Sequence, residues 1–248
     1  MNPQTLAQQF NLLRLTTAAI ELESVLNEEK SATSLGWVIK LMERELDARR
    51  ERMLQSRLKA ARFPETPSLE GFDWKFNPDI DEQKIRELAN LSFIPECQIA
   101  LMLGKPGTGK THLSLAIGVL AVHRGYRVYC TTIKELAADI IAAKMKGELD
   151  RLFKKMLSSQ LWILDDWGLI NMKREVAEEV FDLLDRRRHS SAMILTSNRD
   201  VDEWPSMFPE PILASASLDR ICDRAEKIFF VGESYRLKGK IKPRDVKI

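Results

Sequence analysis

Apolar side chains recur at helical spacing up to about residue 62, as in Leu6, Phe10 and Leu13 and again in Leu35, Val38, Met42 and Leu46, in a stretch holding one glycine and one proline. The pattern predicts a small all-helical unit over residues 1–64. Its second helix is expected to run on into Arg49, Arg50, Arg52, Arg57, Lys59 and Arg62, a basic stretch that suits either a solvated face or contacts to DNA phosphates. Pro64, Pro67, Gly71 and Pro78 then break the pattern, because proline fixes φ and removes a backbone donor. Residues 65–80 therefore read as a linker, and Phe72, Trp74 and Phe76 within it call for a domain to pack against.

Beyond Asp81 the period changes. A helical segment leads into the short apolar run Ile99–Leu103, and further runs follow at 127–132, 161–165, 192–196 and 227–231, each separated from the next by helical sequence. Strands that alternate with helices predict a parallel, doubly wound α/β domain over residues 81–248. The tail beyond Gly232 carries Lys238, Lys240, Lys242, Arg244 and Lys247 and reads as a solvated end.

Composition changes this picture little. A chain of 248 residues, 44% hydrophobic and 30% charged, has room for one large domain and a small appendage. The net charge of +2 announces no nucleic-acid partner, so any such argument rests on local clusters. Cys97, Cys130 and Cys222 form no C-x-x-C pair, which excludes a zinc ribbon or a disulfide framework and fits buried free thiols in a reducing compartment. Arg14, Glu21 and Glu23 interrupt the first leucine-rich stretch, and no apolar span reaches bilayer length, so a cytoplasmic protein without a membrane partner is expected.

The chemistry is concentrated in residues 104–111, which read G-K-P-G-T-G-K-T. Average composition produces G-x-x-x-x-G-K-[ST] by chance in roughly one chain of this length in a hundred, so coincidence starts as the weaker explanation. It weakens further because a strand pattern precedes the motif and a helical one, from His112 to Val122, follows it. In that setting the backbone from Gly104 through Pro106, Gly107, Thr108, Gly109 and on to His112 wraps the phosphates of ATP or GTP at a helix N-terminus. Lys110 is expected to reach the β- and γ-phosphates, and Thr111 to ligate Mg2+. The run Leu161–Leu164 ends in Asp165, placed to hold the metal, and Asp166, placed either to orient the attacking water or to cap the next turn. Thr196, Ser197 and Asn198 end another buried run, and Asn198 is in a position to meet the γ-phosphate or its water.

The order of the phosphate loop, L-W-I-L-D-D-W-G, I-L-T-S-N and S-L-D-R-I-C-D-R-A resembles the AAA+ ATPases of the initiator and helicase-loader branch. Within that branch, T-S-N-R-D-V-D-E-W and V-G-E-S-Y-R, with the helical N-terminal segment, look most like the IstB-type helpers of DNA transposition. The resemblance is strong from about residue 98 to 237 and moderate over the first 80. It implies an α/β P-loop AAA+ core with a parallel five-stranded sheet flanked by helices, an all-helical N-terminal domain and no lid domain. It further implies an ATPase with ATP and Mg2+ as cofactors, in which Asn198 acts as a sensor. Arg220 would be a finger that reaches the nucleotide of a neighbouring subunit in a homo-oligomer, with Arg224 a second candidate for either a finger or a sensor role. For Arg220 a local ion pair with Asp219 or Asp223 is the competing reading, since the segment is rich in both signs. In the family the second acidic residue is commonly glutamate, and Asp166, one methylene shorter, puts the rate of hydrolysis in question.

Double-stranded DNA and a transposase are the partners this resemblance implies. Lys144, Lys146, Arg151, Lys154 and Lys155, followed by Lys173 and Arg174, are the candidate phosphate contacts, and each alone suits a solvated helix surface equally well. Arg186, Arg187 and Arg188 are expected instead to end a helix favourably against its dipole. Two other functions fit the same loop: a replicative helicase loader, which shares the core, and a small-molecule kinase, which would need an arginine-rich lid not evident here.

Overall fold

The computed structural model of the chain describes residues 3–28 and 36–238, which form two compact units that part at Ser56 and Arg57. The division falls inside a long helix, ahead of the boundary at residue 64 expected from composition. Leu35 and the tail residues Lys240, Lys242, Arg244 and Lys247 lie outside the described residues.

The first unit is built from α1 (Pro3–Leu12), α2 (Thr16–Glu28) and the larger part of α3 (Gly36–Ala61). The expected first helix is thus two helices, because Arg14 takes a φ of 57° and turns the chain between them. Ala18, Leu22, Val25 and Leu41 form the buried core, with Leu6, Phe10 and Met42 packed on it. Glu45, 2% exposed, reaches from α3 to accept the Ala18 amide at 2.9 Å, satisfying one of the free donors in the first turn of α2. Arg49 donates to Glu45 at 2.7 Å and to the Arg14 carbonyl at 2.8 Å, while Arg52 meets Thr17 at 2.9 Å. Part of the basic stretch therefore lies on a solvated face and also braces this unit.

The second unit follows the βα alternation read from the sequence: α4 (Glu82–Ala89), β1 (Ile99–Gly104), α5 (Lys110–His123), β2 (Val128–Thr132), α6 (Ile133–Lys146), α7 (Leu149–Leu157), β3 (Leu161–Trp167), α8 (Arg174–Arg187), β4 (Ala192–Ser197), α9 (Pro211–Cys222) and β5 (Ala225–Phe230). The sheet has the order β2-β3-β4-β1-β5, and every pairing is parallel. Strands covered on both faces need continuous apolar sequence, which is why the runs are legible. Leu101, Trp162, Leu164, Met193 and Leu195 face a core shared with α6 to α9, and Ile163 points the other way against Gly118 of α5. This is the parallel five-stranded sheet flanked by helices that the sequence predicts. Among the described residues no helical lid follows β5, and no helix is long and apolar enough to cross a membrane.

Asp81 accepts the Lys84 amide at 3.0 Å and starts α4 where the sequence placed it. The linker aromatics do pack on this unit: Phe72 stacks near His112 with ring centroids 5.7 Å apart. Of the three cysteines, all free, only Cys130 is buried, while Cys97 and Cys222 are half-buried, a correction to the expectation of buried thiols.

Candidate nucleotide site

β1 delivers the chain to Gly104 at the sheet's C-terminal edge, where ligands of open α/β sheets collect. Gly104 has a φ of 146°, and a Cβ there would collide with the Phe230 carbonyl of the adjoining β5, so no other residue fits the exit from the strand. The turn closes at Gly109, whose φ of 106° places it as the N-cap of α5. The Leu113 amide makes the first rung of that helix, 3.0 Å to the Gly109 carbonyl, so the amides of Lys110, Thr111 and His112 fall before the ladder. They stand at the positive end of the helix dipole, where an anion is stabilised. The helix begins two residues before the expected His112 because Gly109 already supplies the first acceptor.

Lys110 is 5% exposed, and its ammonium folds back onto the loop, donating to the Gly104 and Lys105 carbonyls at 2.7 Å each. Burial pulls its pKa from 10.5 down to about 8, against the opposing pull of Asp166 and Asp165. Thr108 braces the turn from within, 2.9 Å to the Lys105 carbonyl.

Consecutive residues of a regular strand point to opposite faces, so Asp165 and Asp166 of β3 should part company. Asp165 lies on the α5 face with Ile163, and the Thr111 hydroxyl donates to it at 2.9 Å. Asp166 would then face the core of α6 to α9. Instead it takes a φ of 57°, the pairing with β4 breaks register between Leu164 and Trp167, and Trp167 resumes the core face. The bulge turns both carboxylates toward the phosphate loop. A left-handed non-glycine residue costs on the order of 1 kcal/mol or more, and such strain gathers at functional sites. Thr196 of β4 sustains it: its hydroxyl donates to Asp165 at 2.5 Å and accepts the Asp166 amide at 3.1 Å. Burial raises the Asp166 pKa from its ordinary value, helped by Asp165 and resisted by Lys110 and Arg236. The next turn uses the Asp166 carbonyl, which accepts from Leu169 at 3.2 Å, and leaves the carboxylate to line the cavity.

Asn198, just past β4, lines the same cavity, along with Phe72 and Asn77 of the linker and Tyr235 and Arg236 beyond β5. The sequence gives no sign that Thr196, Phe72 or Arg236 belongs to this site. Around the last the only motif is the phrase V-G-E-S-Y-R, and its approach to the loop is a long-range contact that spacing cannot show.

Residues 5–243 match the family described as IstB-like ATP binding protein. The chain belongs to that family. It is 38% identical, over 93% of its length and 88% of the relative's, to the insertion sequence IS21 putative ATP-binding protein of Pseudomonas aeruginosa. Solved structures share the fold: AMPPCP-bound DnaA from Aquifex aeolicus, TM-score 0.57, 20% identical over 75% of this chain and 57% of that one, and the DnaC helicase loader, TM-score 0.53, 21% identical over 60% and 87%.

Other residues singled out in this IstB-like chain lie away from the loop. Arg220 and Arg224 share a cleft with Glu96, Arg187 and Arg188, at the ends where β1, β4 and β5 begin. Six strand residues at about 3.3 Å each put that cleft roughly 20 Å from the loop of the same chain. Arg220, on α9, pairs with Asp185 at 3.0 Å and Asp219 at 3.2 Å, and Asp223 pairs with Arg188 instead. Arg186 and Arg187 do close α8, with Arg188 as its C-cap.

The basic candidates on the other helices divide in the same way. Lys144 is held by Glu179 at 2.7 Å, and Arg174 by Glu178 and Glu210 at 2.9 and 3.2 Å. Lys146, Arg151 and Lys155 line a cleft with Arg62 and Tyr129, where Arg151 pairs with Glu148 at 3.6 Å, while Lys154 and Lys173 are exposed on α7 and at the start of α8.

Proposed function

We propose that this chain is the ATP-dependent DNA-binding helper of an insertion sequence: with ATP it assembles on duplex DNA and recruits or activates the transposase, and hydrolysis of ATP disassembles the complex. The observation that carries the reading is the convergence of Lys110, Thr111, Asp165, Asp166 and Asn198 on one glycine-framed turn, with the finger candidates roughly a sheet's length away in the same chain. The site takes a triphosphate, and Arg220 or Arg224 can be brought to it only by a second copy. Relatives named for insertion sequences support the transposition context. In this reading Lys146, Arg151, Lys155 and the exposed Lys154 and Lys173 supply sequence-tolerant phosphate contacts, and Lys144 and Arg174 contribute once freed from their glutamates.

Thr111 and Asp165 fit magnesium. They offer one hydroxyl and one carboxylate, and among the described residues no group of three or more His, Cys, Asp and Glu gathers that would suit a different metal. Magnesium bound there would take its other ligands from phosphate and water, as it commonly does, and would supply charge neutralisation during transfer. Lys110 holds the phosphate oxygens, Asn198 orients the terminal group, and the Asp166 carboxylate accepts a proton from the attacking water.

The reading is tested by purifying the protein and measuring sedimentation and duplex-DNA anisotropy with and without ATP. Larger particles and tighter DNA binding with ATP are expected, and identical behaviour in both conditions would remove the proposal. Transposase rather than helicase should co-purify.

Two predictions belong here. Asp166→Asn should bind ATP normally and turn over about a hundredfold more slowly, the scale of a lost general base, whereas equal rates would strip that carboxylate of a catalytic role. The second concerns Lys110, whose amine loses its proton above about pH 8 in the free protein. A triphosphate favours the charged form, so binding above that pH must take up a proton, and affinity should fall by up to tenfold per unit. Calorimetry in buffers of different ionisation enthalpy reads that uptake directly.

A further inference from the structure

Arg62, the first residue beyond α3, has a φ of 64°, at a place where glycine or asparagine ends a helix at lower cost. What the strain secures is the position of a guanidinium. Its Nη1 donates to the Tyr129 hydroxyl at 2.7 Å and to Asp139 of α6 at 2.5 Å, and its central carbon lies 5.6 Å from the centre of the Tyr129 ring. Tyr129 is 1% exposed on β2, at the edge of the sheet, so the ring is a fixed platform. Lys155 reaches the same ring from α7, its ammonium 5.4 Å from the centre.

These groups line a cleft of about 480 Å³ that lies wholly within the second unit. Four cations border it, Arg62, Lys146, Arg151 and Lys155, against two carboxylates, Asp139 and Glu148. Both carboxylates are taken, by Arg62 and by Arg151, whereas Lys146 and Lys155 pair with none among the described residues. The Nε and Nη2 of Arg62 make no hydrogen bond to the described residues either. An arginine with one nitrogen fixed and two unused presents a fork to an oxyanion.

Granted the DNA-binding reading above, we propose that a backbone phosphate of duplex DNA seats in this cleft on Arg62, that Asp139 holds the place in the free protein and yields it to the phosphate, and that Lys146 and Lys155 complete the seat. The pair to be broken is about one-third exposed on both sides, 35% and 34%, and such pairs are weak. A phosphate diester matches the fork as a carboxylate does. It also releases counterions from the duplex, a gain that Asp139 cannot offer. The lysines, on flexible stems, add charge; Arg62 alone is positioned before DNA arrives.

The full-length protein with AMPPCP, which avoids turnover, is titrated onto a fluorescent duplex across a series of salt concentrations. Arg62→Ala should weaken binding about tenfold and reduce the slope of log affinity against log salt by about 0.9 for each bound subunit, the loss of one phosphate contact. Arg62→Gly, which suits the backbone there, should lose as much. Arg62→Lys should keep the slope and lose part of the affinity, since the charge stays and the fork goes. Asp139→Asn should tighten binding about fivefold, the worth of a part-exposed ion pair, a gain that damaged folding cannot produce. Glu226→Gln removes the same charge from β5, at the opposite edge of the sheet, and should change affinity less than about twofold. Wild-type affinity and slope in Arg62→Ala and Arg62→Gly overturn the seat. Binding by Asp139→Asn no tighter than by Glu226→Gln overturns the exchange. Failure of the wild type to bind the duplex overturns the DNA reading beneath both.

Discussion

Lys110→Ala should weaken ATP binding at least about a hundredfold, or about 2.7 kcal/mol, and with it the proposed ATP-dependent assembly should be lost. The size follows from what the side chain does in the folded protein. Its ammonium is buried, depressed to about pKa 8, and held by only two loop carbonyls, Gly104 and Lys105, a poor substitute for water. A triphosphate repays that desolvation with charge-assisted hydrogen bonds, worth about 1.5–3 kcal/mol each. Removing the amine takes away the one buried cation among the described groups around the phosphates. The free variant should fold, and should be no less stable than the wild type near neutral pH, where a depressed lysine pKa means that carrying the proton costs folding free energy. That cost is fully present below about pH 8 and fades as pH climbs toward 10.5. Calorimetry with ATP and a thermal melt without it check both halves; undiminished affinity would show that the loop does not grip phosphate through this side chain.

Much of the core was readable because it is a matter of local pattern. The runs at 99–103 and 161–165 are covered on both faces and are therefore apolar throughout, and the glycines of the loop announce themselves because backbone conformation excludes other residues there. The edge strand was harder. β5 starts at Ala225, two residues before the expected 227, because Glu226 and Lys227 are exposed on a strand with only one neighbour, and polar residues conceal a pairing that the register with Ile99 reveals.

Chemistry that depends on tertiary contacts was not readable at all. Adjacent aspartates in a strand diverge by default, and nothing in D-D-W-G reports the left-handed turn at Asp166 or its support from Thr196. A run of arginines looks like one surface, yet Arg49 and Arg52 are spent on Glu45 and Thr17 of the first unit, while Arg62 binds Tyr129 and Asp139 in the second. The pairing of Asn77 with the Glu233 backbone spans most of the second unit's sequence. Such contacts follow from the folded chain, not from the spacing of residues along it.

Arg220→Ala should bind ATP as the wild type does and lose about a thousandfold in turnover, the lower range for an arginine that stabilises transition-state charge in phosphoryl transfer. The geometry makes the residue useless to its own subunit, since it lies at the strand starts and the loop lies at the strand ends. Its ion pairs with Asp185 and Asp219 are no obstacle: the side chain is 25% exposed, its partners more so, and pairs of that kind are worth less than about 1 kcal/mol. A neighbour's nucleotide can therefore draw it away cheaply. The decisive experiment mixes two inactive proteins. Lys110→Ala keeps the arginine but cannot hold ATP, and Arg220→Ala holds ATP but lacks the arginine, so interfaces that join one of each in the right order should hydrolyse ATP while neither protein alone does. Turnover that depends on protein concentration in the wild type is required by the same logic. Normal turnover of Arg220→Ala at every concentration would move the role to Arg224, which shares the cleft, and absence of rescue in mixtures shown by sedimentation to contain both variants in one particle would overturn the finger acting between subunits.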